Sequence, residues 1–152
     1  MIEVAEVLAA ARALRFVREE PVGSNAGQAV EAMLKLTGLG KGQPWCAAFL
    51  ALVGDAALGA RWPLPLTASC VALGTFATAK GCLLTTPAVG DVFLLWYPKL
   101  NRFAHTGLVT GDAGQTIEGN TSGGGSREGW GVFERTRTWD ARTRFIRWRD
   151  LV

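Results

Sequence analysis

The sequence predicts an α+β fold, in which N-terminal helices pack on a C-terminal antiparallel β-sheet. Up to Pro87 apolar residues recur at helical spacing. After it come short segments rich in β-forming residues, separated by glycine and proline. The chain has 152 residues, of which 49% are hydrophobic, and this suffices for a sizeable core. No repeat or long linker interrupts the chain, so residues 1–152 are interpreted as one domain.

Two amphipathic helices are predicted first. Residues 4–17 carry one apolar stripe, which ends at the polar break that starts at Glu19. A second helix is expected to begin after Asn25 and to stop at Gly38. Asn25 is interpreted as its N-cap because Gln28 follows three residues later, as in a capping box.

Two more helices are predicted before Pro87. Residues 45–58 are apolar on every side and include several alanines, which is typical of a buried helix. Ser69 is expected to cap a fourth helix that ends at Gly81.

Five strands are predicted in the C-terminal part, over residues 91–96, 107–110, 115–118, 131–137 and 144–148. Residues 111–114 favour a hairpin turn between the second and third strands. Residues 120–131 are too rich in glycine for regular structure, and we expect them to form a mobile surface loop.

The charge pattern excludes some partners. The net charge of +3 is a mild basic bias that suits an anionic target but is far weaker than that of a nucleic-acid-binding domain. The most basic stretch is interpreted as the solvated face of strands, with contact to a polyanion as the alternative. Its members are Arg135, Arg137, Arg142, Arg144, Arg147 and Arg149.

Neither a membrane span nor a secretion signal is predicted. The chain has no run of 18 apolar residues. It begins with acidic residues where a signal peptide would be basic. We therefore expect synthesis in the cytoplasm without a Sec signal and no insertion into a membrane.

The three cysteines do not form a disulfide framework, although a Cys70–Cys82 bond is conceivable. With one histidine and no Cys-x-x-Cys pair, a zinc site is not expected. Cys46 differs from the other two because it opens a predicted buried helix. The helix dipole there stabilises a thiolate, and the first-turn amides can bind an oxyanion. The alternative is that Cys46 is a small apolar core residue.

Three polar residues are candidate partners of that thiol. His105 is the single histidine and therefore the one possible base of a Cys–His enzyme, at the entry to a predicted strand and near its edge. Glu118 and Asn120 are two residues apart in an extended segment, so both are expected to face the imidazole. Alternatively, His105 is structural, Glu118 is a solvated charge and Asn120 is a turn residue.

Four motifs in order strengthen the first interpretation: PWCAAF from residue 44, PAVGDV from 87, AHTG from 104 and IEGN from 117. Together they resemble the CHAP family, the cysteine, histidine-dependent amidohydrolase/peptidase domains, over residues 20–148. The resemblance implies a papain-like fold and cleavage of amide bonds in bacterial peptidoglycan. By position it implies that Cys46 is the nucleophile, His105 the base, Glu118 the orienting acid and Asn120 a fourth active-site residue.

The chain departs from many CHAP proteins in two respects. We expect no second, wall-targeting domain, and residues before Cys46 do not show the acidic calcium-binding loop that precedes the nucleophile in some phage lysins. No metal or cofactor requirement is therefore expected. Trp45, Trp96 and Trp130 are candidates for lining a substrate groove, with core packing as the alternative for the first two.

Two biological settings fit these expectations. One is a phage or prophage lysin. The other is a secreted antibacterial amidase effector, which would be paired with an immunity protein. Both act in the periplasm or on the cell wall, on an N-acetylmuramoyl-L-alanine bond or a peptide bond. The alternatives are a catalytically inactive wall-binding module and an intracellular amidase or transglutaminase-like enzyme.

Overall fold

A computed structural model describes residues 1–122 and 129–152 of the chain. Its helices are α1 (Ile2–Ala13), α2 (Gln28–Leu36), α3 (Cys46–Leu58) and α4 (Cys70–Lys80), with 3-10 turns at Gly59–Arg61 and Trp148–Leu151. Its strands are β1 (Leu83–Leu84), β2 (Val92–Tyr97), β3 (Arg102–Val109), β4 (Gln115–Thr121), β5 (Gly131–Thr136) and β6 (Arg144–Ile146). Helices precede one antiparallel sheet, and the predicted α+β class is confirmed.

The six strands lie in the order β1-β6-β2-β3-β4-β5. Hairpins connect β2 to β3 and β3 to β4. The second of them contains the turn predicted at residues 111–114, where Thr110 N donates to Gln115 O at 2.7 Å. The register pairs Leu95 of β2 with His105 of β3, and Leu108 of β3 with Ile117 of β4. β3 is therefore an interior strand with a partner on each side.

The α3 helix forms the centre of the core, as its all-apolar sequence predicts. Its first six residues are all buried, and the helix contacts α1, α2, β3 and β4. It approaches β4 closely at Gly119, where a Cβ atom would lie 2.5 Å from the Cβ of Phe49 and 3.0 Å from the ring of Trp45. Only a residue without a side chain allows this separation of helix and strand.

Helix boundaries agree with the sequence for α4 and differ for α1 and α2. Ser69 caps α4 by accepting a hydrogen bond from Ala72 N at 3.0 Å. The α1 helix ends at Ala13, four residues before the predicted end. The predicted cap of α2 is wrong, because Gly27 takes the N-cap position with φ 116° and its amide donates to Glu31 Oε2 at 2.9 Å.

The other differences concern the strands. The two-residue strand β1 was not predicted, because two residues carry no periodicity. Of the predicted glycine-rich loop, residues 120 and 121 belong to β4 and residues 123–128 lie outside the described residues. Among the described residues, no helix combines the length and apolar character needed to cross a membrane.

The basic C-terminal stretch is only partly a solvated face. Arg147 Nη2 and Arg149 Nη1 donate to the fully buried carboxylate of Asp91 at 2.9 and 2.8 Å. This contact joins the start of β2 to the end of β6 and the last 3-10 turn. These two arginines therefore form ion pairs with a buried carboxylate, and Arg137 forms another with Glu118.

Candidate active site

Cys46 is the first residue of α3 and is 4% exposed. The residue before it, Trp45, is fully buried and donates its indole N–H to Glu19 Oε1 at 2.9 Å. Glu19 is itself buried and also accepts from Gly23 N at 2.8 Å. The start of α3 is thus anchored to the loop after α1. The thiol lies at a fixed helix N-terminus, where backbone amides favour negative charge.

His105 is buried in the interior of β3, and this corrects the expectation that it lies near the strand entry and projects from the edge. The predicted strand was too short because Arg102, Phe103 and Ala104 carry no clear alternation. The Nε2 atom of His105 lies 2.7 Å from Oε1 of Glu118. The imidazole therefore has a carboxylate partner on the neighbouring strand.

The Glu118 carboxylate is fully buried and accepts three further hydrogen bonds. Thr116 Oγ1 donates to Oε2 at 2.6 Å. Arg137 donates from Nε to Oε2 and from Nη2 to Oε1, both at 2.6 Å. Burial raises the pKa of Glu118, but the contacts with Arg137 and His105 outweigh it and lower the pKa to about 2. Glu118 is therefore ionised at neutral pH.

Gly107, two residues after His105, makes room for this carboxylate. A Cβ atom there would lie 2.8 Å from Cγ of Glu118 and 2.8 Å from the carbonyl oxygen of Ile117. Any side chain at Gly107 would displace Glu118 from the imidazole. The close approach of Glu118 thus explains why the AHTG motif has a glycine at position 107.

The charges of His105 and Cys46 depend on each other. An ionised Glu118 accepts a hydrogen bond from the Nε2–H of His105, so Nδ1 is the ring nitrogen that is free to exchange a proton. Nδ1 is buried and makes no hydrogen bond with a described residue. Burial lowers the pKa of His105, but Cys46 and then Glu118 outweigh it and raise the pKa to about 9. Cys70 and then His105 lower the pKa of the Cys46 thiol well below its usual value, against burial. The arrangement favours a thiolate beside an imidazolium.

Asn120 is buried in β4 but does not share the role of Glu118. Its φ is +52°, and the β4–β5 register shifts between Glu118 and Thr121, so the alternation that would place both side chains on one face is broken. No hydrogen bond joins Asn120 to His105, and its Oδ1 is buried without a partner among the described residues. Of the two residues expected to face the imidazole, Glu118 makes a hydrogen bond with it and Asn120 does not.

Cys46 lines a cavity of about 410 Å³. Cys70, Arg102 and Ala104 line it as well, and the remaining lining residues are Thr37, Leu39, Gln43, Pro44, Thr67, Ala68 and Ser69. Arg102 is the one charged residue among these described lining residues. This cavity therefore gives a substrate a place to bind against Cys46, although that residue is almost fully buried.

The three tryptophans proposed as groove residues do not line this cavity in the described part of the chain. Trp45 is fully buried in the core under Glu19. Trp96 packs edge-on against Phe103, and Trp130 edge-on against Phe133. Core packing, the alternative for Trp45 and Trp96, accounts for the burial of Trp45, whereas Trp130 is partly exposed. A substrate groove formed by these tryptophans stays a prediction, and it is not the cavity at Cys46.

Sequence reasoning missed two residues of the site. Arg137 was assigned to a solvated face, yet it is the ion-pair partner of Glu118. Cys70 was assigned no role, yet its sulfur lies 3.8 Å from that of Cys46. Residue spacing carries no signal for either contact, because the β4–β5 register and the packing of α4 create them. None of the three cysteines, all of them described, forms a disulfide.

The described residues contain no group of three histidine, cysteine or acidic side chains arranged to hold a metal ion. The chemistry available is that of a thiol, an imidazole and a carboxylate in series at a helix N-terminus. Comparisons with protein-family models, with curated proteins and with solved structures found no match to this chain.

Proposed function

We propose that this chain is a cysteine amidase or endopeptidase that cleaves amide bonds of bacterial peptidoglycan. The observation that carries the proposal is the buried hydrogen bond between His105 and Glu118 at 2.7 Å, together with the interaction that raises the pKa of His105 and lowers that of the Cys46 thiol. These three residues come from segments distant in sequence. A papain-like CHAP fold is part of the same proposal. The order of helices and strands is compatible with it.

The proposed reaction is acyl transfer through a thioester. The Cys46 thiolate attacks the amide carbonyl, and the first-turn amides of α3 stabilise the oxyanion. His105, protonated at Nδ1, gives its proton to the leaving amine. It then takes a proton from the water molecule that hydrolyses the thioester. Glu118 fixes the ring orientation and supports the imidazolium throughout.

The choice of peptidoglycan rests on two features. The four motifs that resemble the CHAP family include Cys46, His105 and Glu118. The cavity is also compatible with an acidic substrate, because Arg102 is its one charged residue among the described lining residues. Peptide stems of peptidoglycan carry carboxylates. A phage lysin and a secreted effector with an immunity partner both remain within this proposal, with action in the periplasm or on the cell wall.

The test is digestion of purified sacculi, followed by mass spectrometry of the soluble products. We expect new amine termini, and their masses identify the bond as a muramoyl–alanine or a peptide amide. A panel of wall-free amides, including casein and a glutamine donor with an amine acceptor, serves as the comparison. Cleavage of the panel but not of sacculi would replace the proposal with an intracellular amidase or transglutaminase. Binding to sacculi without cleavage would replace it with a wall-binding module.

A further inference from the structure

Cys70 occupies a position that mirrors that of Cys46. It is the first residue of α4, as Cys46 is of α3, and both are 4% exposed. Their sulfur atoms are 3.8 Å apart, within the range of a sulfur hydrogen bond. Two helix N-termini therefore meet at one pair of thiols, and both residues line the same cavity.

The proton of this pair belongs on Cys70. The interaction between Cys46 and His105 lowers the pKa of the Cys46 thiol and raises that of His105, which favours an ionised Cys46 beside a protonated imidazole. Either sulfur is close enough to donate, and with Cys46 ionised the donor is the Cys70 S–H. In agreement with this direction, Cys70 is the largest of the influences that lower the pKa of Cys46, ahead of His105.

Cys82 shows what an ordinary buried thiol looks like in the same protein. It is also 4% exposed, but its sulfur donates to the backbone oxygen of Ala77 at 3.7 Å. Burial raises the pKa of Cys82. Cys82 therefore provides a matched reference for the loss of a buried sulfur that does not contact the nucleophile.

We propose that Cys70 is a positioning residue for Cys46: its thiol donates a hydrogen bond to the Cys46 thiolate and holds that thiolate ready for attack. The proposal deepens the proposed function, on which it rests for its catalytic meaning. The chemistry of the contact itself does not require a particular substrate, so it is testable without one.

The experiment measures the rate of Cys46 alkylation by iodoacetamide against pH, with modification at Cys46 read by peptide mass spectrometry. The variants are Cys70→Ala, Cys70→Ser and the reference Cys82→Ala. Because a hydrogen bond to a charged group is strong, Cys70→Ala should raise the alkylation midpoint by about one pH unit. Cys70→Ser keeps a donor and should recover most of that shift. Cys82→Ala should match the wild type.

An unchanged midpoint in Cys70→Ala, or equal midpoints in the alanine and serine variants, overturns the proposal. If Cys70→Ala does not fold by circular dichroism, Cys70→Thr and Cys70→Val repeat the comparison, because they have similar shape and differ in the hydroxyl donor. A lower midpoint for threonine than for valine supports the proposal, and equal values overturn it. Sacculus cleavage is scored separately. If the wild type does not cleave sacculi but its alkylation midpoint depends on Cys70, only the proposed function is refuted. If the wild type cleaves sacculi and its alkylation midpoint does not depend on Cys70, only this inference is refuted.

Discussion

Arg137 forms a bidentate ion pair with Glu118, with both nitrogen–oxygen distances at 2.6 Å. The oxygen that accepts from Arg137 Nη2 is also the one that contacts His105 at 2.7 Å. Arg137 is therefore the last member of a line of charges that starts at the Cys46 thiol. It holds the carboxylate ionised and in place, so the imidazole keeps one orientation.

Replacing this arginine should destabilise the fold and the site together. Arg137→Gln removes one of the two cations that contact the buried Glu118 carboxylate and leaves His105 as the other. We expect this loss to cost on the order of 3 kcal/mol in the free energy of unfolding. Urea denaturation measures it. Arg12→Gln is the control, because Arg12 and Glu134 form an exposed pair at 3.6 Å that is worth about 0.5 kcal/mol or less. Equal losses in the two variants would contradict the structural role assigned to Arg137.

The imidazole should titrate far above the usual range. His105 is the single histidine, so its ring carbon and nitrogen NMR signals are unambiguous. A pKa raised to about 9 means that His105 stays charged at neutral pH and loses its proton only as the pH rises through about 9. Glu118→Gln removes one supporting charge and should lower the midpoint. Glu134→Gln, an exposed control, should not. A wild-type midpoint near 6.5 would refute the thiolate–imidazolium pair.

Close contact between α3 and β4 should make Gly119 intolerant of a side chain. In Gly119→Ala the new Cβ meets Phe49 at 2.5 Å, so the helix and the strand must separate. Overpacking of this kind costs about 1–3 kcal/mol. Gly40→Ala is the matched control, since nothing lies within 4 Å of its Cβ position. Thermal unfolding of both variants tests this, and an unchanged Gly119→Ala protein would show that the contact does not fix the helix.

The two neighbouring thiols should cross-link under a mild oxidant. Diamide takes up two electrons and two protons as Cys46 and Cys70 form a disulfide, because the sulfurs at 3.8 Å need only a short approach. Peptide mapping should find a Cys46–Cys70 bond and an unmodified Cys82, with activity restored by dithiothreitol. A product that links Cys82 instead would mean that the pair is not in contact.

Element type and order were accessible from the sequence, because long apolar patterns report burial directly. The uniformly apolar stretch after Trp45 predicted α3 with Cys46 at its start, and Ser69 and Gly81 predicted the ends of α4. The cap of α2 was not accessible. The N-cap is Gly27 and not Asn25, and Gly27 has a positive φ. The capping-box pattern depends on residue types and gives no information about such a backbone conformation.

Contacts within the site were predictable only where strand alternation applies. Glu118 faces His105 as two-residue periodicity requires. Asn120 does not, because a register shift intervenes between Glu118 and Thr121. The ion pair of Arg137 depends on strand pairing, and the position of Cys70 depends on helix packing. In the sequence, Arg137 is one of a series of arginines and Cys70 is an isolated cysteine, so neither contact can be recognised from residue spacing.

The central claim is that the Cys46 sulfur carries out the amide cleavage. The most direct measurement is the rate of amine release from purified sacculi by Cys46→Ala, with Cys82→Ala as the control for losing a thiol. We expect Cys46→Ala to fold normally and to lose at least about 10³-fold in rate, while Cys82→Ala keeps the wild-type rate. Amine release by folded Cys46→Ala at the wild-type rate would contradict the claim.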